Sequence, residues 1–193
     1  MLKNLKMRTK IFLIVALGIL ALGVVSVPTI TELNSTIDRL EKADDLNKVD
    51  RRFNEMRRQE KNFIIRKDQE SLDKFQQAYK EGIEILDDLS TRFANPKNKK
   101  ILSDLKTSLI TYQNDFLVLV KELKDTKTQE YVMTTAEKVM VENARTVGEI
   151  VTDFRRDQNT QADADINALK TTIITVSILA FIILITLGTL IVN

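Results

Sequence analysis

The sequence predicts an all-α protein: an antiparallel four-helix bundle, membrane-anchored, whose first and last helices continue into two transmembrane spans. Three observations predict it. Residues 11–30 and 173–192 are two runs of twenty uncharged, mostly apolar residues. Between them, apolar residues recur in heptad steps of three and four, the signature of helices that pack on one face. The chain also has only five glycines and two prolines among 193 residues, with 29% charged, a balance that favours long helices.

Residues 1–10 carry Lys3, Lys6, Arg8 and Lys10 and no acid. By the positive-inside bias these cations hold the N-terminus in the cytoplasm. Residues 11–30 then span the bilayer, since twenty helical residues reach about 30 Å, the thickness of its hydrocarbon core. A cleaved signal peptide ending near Val24, Val25 and Ser26 is the other reading of this run. The apolar run continues past that point to Ile30, which is long for such a signal. Both readings send residues 31–170 outward. Residues 171–193 form the second span, ending at the cytoplasmic side. The expected location is an inner or plasma membrane, with both termini cytoplasmic.

Within residues 31–170 four helices are predicted, near 31–67, 70–93, 97–126 and 130–170. The first has a drifting seam of Leu33, Ile37, Leu40, Ala43 and Leu46, then a regular one of Val49, Phe53, Met56, Glu60 and Phe63. Asp68 and Ser71 supply the side chains that start the second helix. Its seam is Leu72, Phe75, Tyr79, Gly82, Leu86, Leu89 and Phe93, and Ala94-Asn95-Pro96 stops it. The third steps through Leu102, Leu105, Leu109, Tyr112, Phe116, Leu119 and Leu123. A soft break follows near residues 126–128. The fourth runs Ala136, Met140, Asn143, Val147, Ile150 and Phe154, then turns polar at Asp157 and Gln161. Helices two and three are the short ones, so four helices are expected at the outer end and two near the membrane. The polar stretch at Asp157 and Gln161 cannot make a dry core alone, and a homodimer would complete it.

Composition removes whole classes of chemistry. There is no cysteine and no histidine, hence no thiolate nucleophile, no imidazole base, no phospho-accepting histidine and no usual zinc ligand. No nucleophile–base pair and no phosphate-cradling glycine loop is present either. The expectation is a protein without enzymatic activity, cofactor or metal. Residues 31–170 have a net charge of −2 and the basic excess lies beside the first apolar run, so nucleic acid is not an expected partner. The bilayer is.

One stretch stands apart. Residues 57–68, RRQEKNFIIRKD, put five cations around Phe63, Ile64 and Ile65. Glu60 sits on the apolar seam, where a carboxylate is costly unless paired. Two readings are open. Glu60 and its cations can fix the register by salt bridges between helices; Glu142 and Asn143 are expected near Arg57 and Arg58, and Arg145 near Glu55. Alternatively Arg57, Arg58, Lys61 and Arg66 can hold an anionic ligand such as a carboxylate metabolite, since the guanidinium fork suits carboxylates. A periplasmic binding protein or the cell-surface matrix is a further candidate partner. Asn143 is a second candidate ligand residue, and equally a register device on its seam.

The span, the motif R-R-x-E-K-x-F-x-x-R-x-D at Arg57, Arg58, Glu60, Lys61, Phe63, Arg66 and Asp68, the helical region and the second span resemble the sensory half of a methyl-accepting chemotaxis receptor. More specifically, the chain resembles the four-helix-bundle sensor module, including its HlyB-like form. The resemblance implies sensing of an extracytoplasmic signal and its passage through the membrane by helix displacement. In such receptors a linker and a cytoplasmic output coiled coil follow the second span. This sequence stops at Asn193, so the expectation is a module without its own output domain. The alternative from another class is a structural or adhesive helical membrane protein with no small-molecule ligand. A soluble four-helix enzyme is opposed by both apolar runs.

Overall fold

A computed structural model describes residues 6–125 and 135–192, and these residues form an all-α protein. The elements are α1 (Met7–Arg66), α2 (Gln69–Arg92), α3 (Pro96–Asp125) and α4 (Thr135–Val192). The break expected near residues 126–128 and the seam residue Ala136 lie outside the described residues and side chains, as do Lys3 and several side chains of the first apolar run.

The chain ends its helices by local chemistry. After α1, Lys67 takes a left-handed φ of 54°, and its amide donates to the Phe63 carbonyl at 2.7 Å. That turn satisfies one of the open carbonyls of the last helical turn. Asp68 then caps α2, accepting from the Ser71 amide at 2.7 Å. Phe93 leaves the helix with extended backbone, and its ring is buried against Phe154 with centroids 5.6 Å apart. Asn95 accepts from the Lys97 amide at 2.9 Å, and Pro96 is the first residue of α3. Its fixed φ and missing N–H suit that position. The proline therefore opens α3, whereas α2 has already stopped at Phe93.

Two compact units divide the chain. Unit 2, Glu41–Asn159, holds the hydrophobic core. All four helices contribute: Leu46, Val49, Phe53, Met56 and Phe63 from α1, then Phe75, Ala78, Leu86 and Leu89 from α2. Leu102, Leu105, Leu109, Tyr112, Phe116 and Leu119 come from α3, and Met140, Ala144, Val147, Val151 and Phe154 from α4. Burying each larger side chain contributes about 1.5–3 kcal/mol. Polar pairs give the register of α2 against α3: Gln113 reaches Gln76, and Lys106 reaches Asp87. Numbers thus fall along one helix as they rise along the other.

The α3 seam matches the heptads residue for residue down to Leu119. The α4 seam does not. Its buried residues are Met140, Ala144, Val147, Val151, Phe154 and Gln158, so the face drifts from the expected 143, 150 and 157 by one position. Asn143 and Ile150 are half-buried flanks, and Asp157 is exposed. Asn143 instead bonds Asp115 of α3 from the flank.

Unit 1 comprises Met1–Leu40 and Thr160–Asn193. Among its described residues Thr36 and Ala162 are buried, and the Thr36 hydroxyl donates to the Glu32 carbonyl at 2.9 Å. Leu33, Ile37 and Leu40, expected on a seam, are each more than 40% exposed. Gln161, also expected on a seam, is half-buried and accepts from Arg39 Nη1 at 2.6 Å. Arg39 also pairs with Asp165 at 2.5 Å. Among the described residues, one helix is long and apolar enough to cross a membrane by length and composition. It lies within 137–186, and none of the residues in its apolar window is buried.

Candidate functional site

The RRQEKNFIIRKD stretch resolves into two kinds of residue. Phe63 is fully buried and Ile64 packs against the core, whereas Ile65 is 79% exposed. Glu60 is buried at 2% exposure, one turn from both Met56 and Phe63 on the same face of α1. The fold puts a carboxylate inside an apolar core, so its partners decide whether the arrangement is tolerable.

Two donors meet on one oxygen of that carboxylate. Arg57 Nη1 lies 2.6 Å from Glu60 Oε2, and the Tyr112 hydroxyl of α3 donates to the same atom. Tyr112 is fully buried between Leu109 and Phe116 on the α3 seam. Its ring packs edge-on against Phe53 at 5.9 Å and Phe75 at 5.7 Å. Phe116 completes the set, 4.0 Å from Phe75 and 5.7 Å from Phe63. Aromatic pairs of this kind are worth about 0.5–1.5 kcal/mol beyond their buried area. The guanidinium carbon of Arg57 lies 6.0 Å from the Tyr112 ring centroid, at the outer reach of a cation–π contact.

Electrostatics follow from this geometry. Burial pushes the Glu60 carboxyl above the usual glutamate range, and it outweighs the Tyr112 hydrogen bond and the Arg57 charge, which pull the other way. Burial also pushes the Tyr112 phenol well up, helped by the Glu60 carboxylate beside it. Burial works against the Arg57 cation, but the Glu60 charge prevails and holds it protonated.

The five predicted site residues are not brought together. Arg57 is turned inward to Glu60. Arg58 pairs with Glu55 of its own helix, and Gln59 also donates to Glu55 at 2.7 Å. Lys61 and Arg66 are exposed. Asn143 donates to Asp115 of α3 at 2.5 Å. Glu142 and Arg145 pair with each other at 3.2 Å, not with α1 as expected. An i,i+3 partner on the same helix is always within reach, so these exposed charges close locally. The salt bridges that do join helices in unit 2 lie elsewhere. Asp50 meets Arg155 at 2.8 Å and Arg52 meets Glu81 at 2.6 Å. Arg92 of α2 bonds Asp45 of α1 at 2.5 Å, and Lys106 of α3 pairs with Asp87 of α2.

Tyr112 is the residue that sequence reasoning missed as a site member. It was legible only as one more apolar seam position. The available signal was its hydroxyl: a tyrosine and a glutamate each standing on an otherwise apolar seam need partners, and each supplies what the other lacks.

Unit 1 has its own groove of about 230 Å³, bordered by Glu32, Ser35, Arg39 and Asp165. Among the described residues, no group of carboxylates has the arrangement to hold a metal ion. No family model, curated protein or solved structure matches this chain. The buried Glu60 cluster ties α1 to α3 through the Tyr112 hydroxyl, and the Tyr112 ring packs on Phe75 of α2.

Proposed function

We propose that the chain is a two-pass membrane sensor module. Residues 11–30 and 171–193 cross the bilayer, and residues 31–170 form an extracytoplasmic antiparallel four-helix bundle akin to the sensory half of a chemotaxis receptor. An outside signal, with a small anion as the leading class, shifts one membrane-crossing helix against the other. A shift of an ångström or so is enough when two packings differ by a few kcal/mol. The bundle works as a homodimer.

One observation supports the membrane part of the reading, at the second span. α4 supplies Met140, Val147 and Phe154 to the core of unit 2, and the same helix carries the apolar window in which nothing is buried. Ile174, Ile178, Phe181 and Ile182 there are all at least 50% exposed. In water such surface costs about 25 cal/mol per Å², and lipid removes that cost.

The chain lacks cysteine, so single cysteines report topology directly. Lys80→Cys should react with a membrane-impermeant maleimide on intact cells, and Arg8→Cys only after permeabilisation. Labelling of Arg8→Cys from outside, or protection of Lys80→Cys, overturns the topology. For the signal, organic acids and amino acids are titrated calorimetrically onto the full chain in nanodiscs. A ligand lost with Arg58→Ala or Lys61→Ala supports the anion site; a ligand indifferent to both sinks it.

The second reading is a structural or adhesive spacer. The pairing of Arg57 with Glu60 and of Arg58 with Glu55 favours it, because those cations are already engaged. A ligand panel with no binder would select it.

A further inference from the structure

We propose that Glu60 is a proton-binding site inside unit 2, and that proton uptake there releases Arg57 as a cation at the surface of α1. The geometry carries this. Glu60 is 2% exposed, and its two hydrogen bonds converge on Oε2. The charge on that carboxylate is therefore balanced inside the core by one cation, the guanidinium of Arg57. Arg57 stands at the boundary, its side chain 25% exposed, so it has a solvated alternative. Glu60 has none.

The groups facing Glu60 are few. Its own helix presents Arg57 and the exposed Lys61. α3 presents Tyr112, and one turn further along α3 Asp115 is held by Asn143 of α4. α2 presents the apolar Phe75 to the Tyr112 ring. When a proton from solvent binds the carboxylate, no other covalent bond changes. The charge–charge attraction to Arg57 becomes a weaker charge–dipole one, while Tyr112 can still donate to the neutral acid. The net charge of the outer surface rises by one, beside Arg58 and Lys61. Burial, which drives the carboxyl above its usual range, places the exchange on the neutral side of ordinary glutamate titration. This inference concerns unit 2 alone, so its failure leaves the cysteine-labelling result untouched, and the reverse.

The test is carboxyl ¹³C NMR of the full chain in micelles, with Glu60 assigned by the signal missing in Glu60→Gln. The expected midpoint lies above the ordinary glutamate value of 4.5. The Arg57 side-chain N–H signals should lose their protection from solvent exchange with the same midpoint. In Glu60→Gln they should show the released state at every pH. A Glu60 midpoint at or below 4.5, or Arg57 signals that ignore it, overturns the proposal. If Glu60→Gln does not fold, Tyr112→Phe serves, with the ordinary glutamate midpoint and the Arg57 coincidence judged as before. It removes a donor to the charged form, so the Glu60 midpoint must rise further; an unmoved midpoint also overturns the proposal.

Discussion

The Tyr112 hydroxyl donates to Glu60 across 52 positions of sequence, and this bond joins α3 to α1 in the middle of an aromatic cluster. It places a buried carboxylate beside the Tyr112 ring, on which Phe53 and Phe75 pack. Tyr112→Phe keeps the ring contacts with Phe53 and Phe75 and removes only the hydroxyl. The remaining carboxylate then loses a buried partner, which costs about 1–3 kcal/mol. The measurement is the opening free energy from hydrogen exchange at core amides such as that of Phe116. A cost near zero would mean that Tyr112 does not stabilise the carboxylate.

Glu60 also sets a sign for the pH dependence. Its folded carboxyl is raised by burial, so the folded state holds the proton more firmly than the unfolded chain. The Glu60 contribution is then most favourable at pH below the unfolded value, and it is lost as pH rises through the folded one. Glu60→Gln should flatten that part of the profile in thermal unfolding of the full chain in micelles. An unchanged profile would remove Glu60 as its source.

Asp45 runs the other way. Burial raises its carboxyl, but hydrogen bonds from Lys48 at 2.7 Å and Arg92 at 2.5 Å prevail and hold it below the usual range. Its stabilisation is present above the unfolded value near 3.8 and is lost as pH falls through the lowered one. Asp45→Asn should therefore cost stability at neutral pH and little in strong acid. Arg92→Lys tests the same link, since Arg92 meets Asp45 through Nη1 and Glu41 through Nη2, and lysine has no second nitrogen for the latter.

Lys67 occupies the left-handed turn between α1 and α2 with φ 54°. An L-residue with a Cβ costs about 1–2 kcal/mol there, and glycine avoids it at the expense of some unfolded-chain entropy. Lys67→Gly should stabilise unit 2 by about 1 kcal/mol. Lys67→Ala keeps the Cβ and should give no such gain. Equal effects from both would trace the change to the lysine side chain, not to the backbone.

How much of this was legible before the structure differs by element. The α3 heptad was read correctly because its large residues leave no ambiguity about the inward face. The start of α2 was legible from Asp68, whose side chain acts within three residues. On α4, Met140, Val147 and Phe154 lie inward as expected, but Ala144 and Val151 replace the larger neighbours Asn143 and Ile150, whose size favoured the wrong member of each pair. Glu60 was recognisable as an anomaly from sequence alone. Its partner was not, because the register of α1 against α3 depends on packing across the whole core. The expected bridges to Glu142 and Arg145 failed for the opposite reason: local partners were nearer.

Gly82 offers the last prediction, and it separates helix propensity from packing. It lies buried in the middle of α2, where glycine is about 1 kcal/mol worse than alanine. Close approach is the usual reason to keep such a glycine. Here an added Cβ would lie 3.6 Å from Leu109 Cδ2 and 3.7 Å from Arg52 Cβ, both ordinary contact distances. The methyl group therefore fits without moving either helix, and Gly82→Ala should raise stability by about 1 kcal/mol, or about 2–4 °C in melting temperature. Gly82→Leu should lose it, since the longer side chain meets Leu109 and Arg52 head-on. Destabilisation by alanine would show that α1, α2 and α3 approach more tightly at this level than the distances indicate.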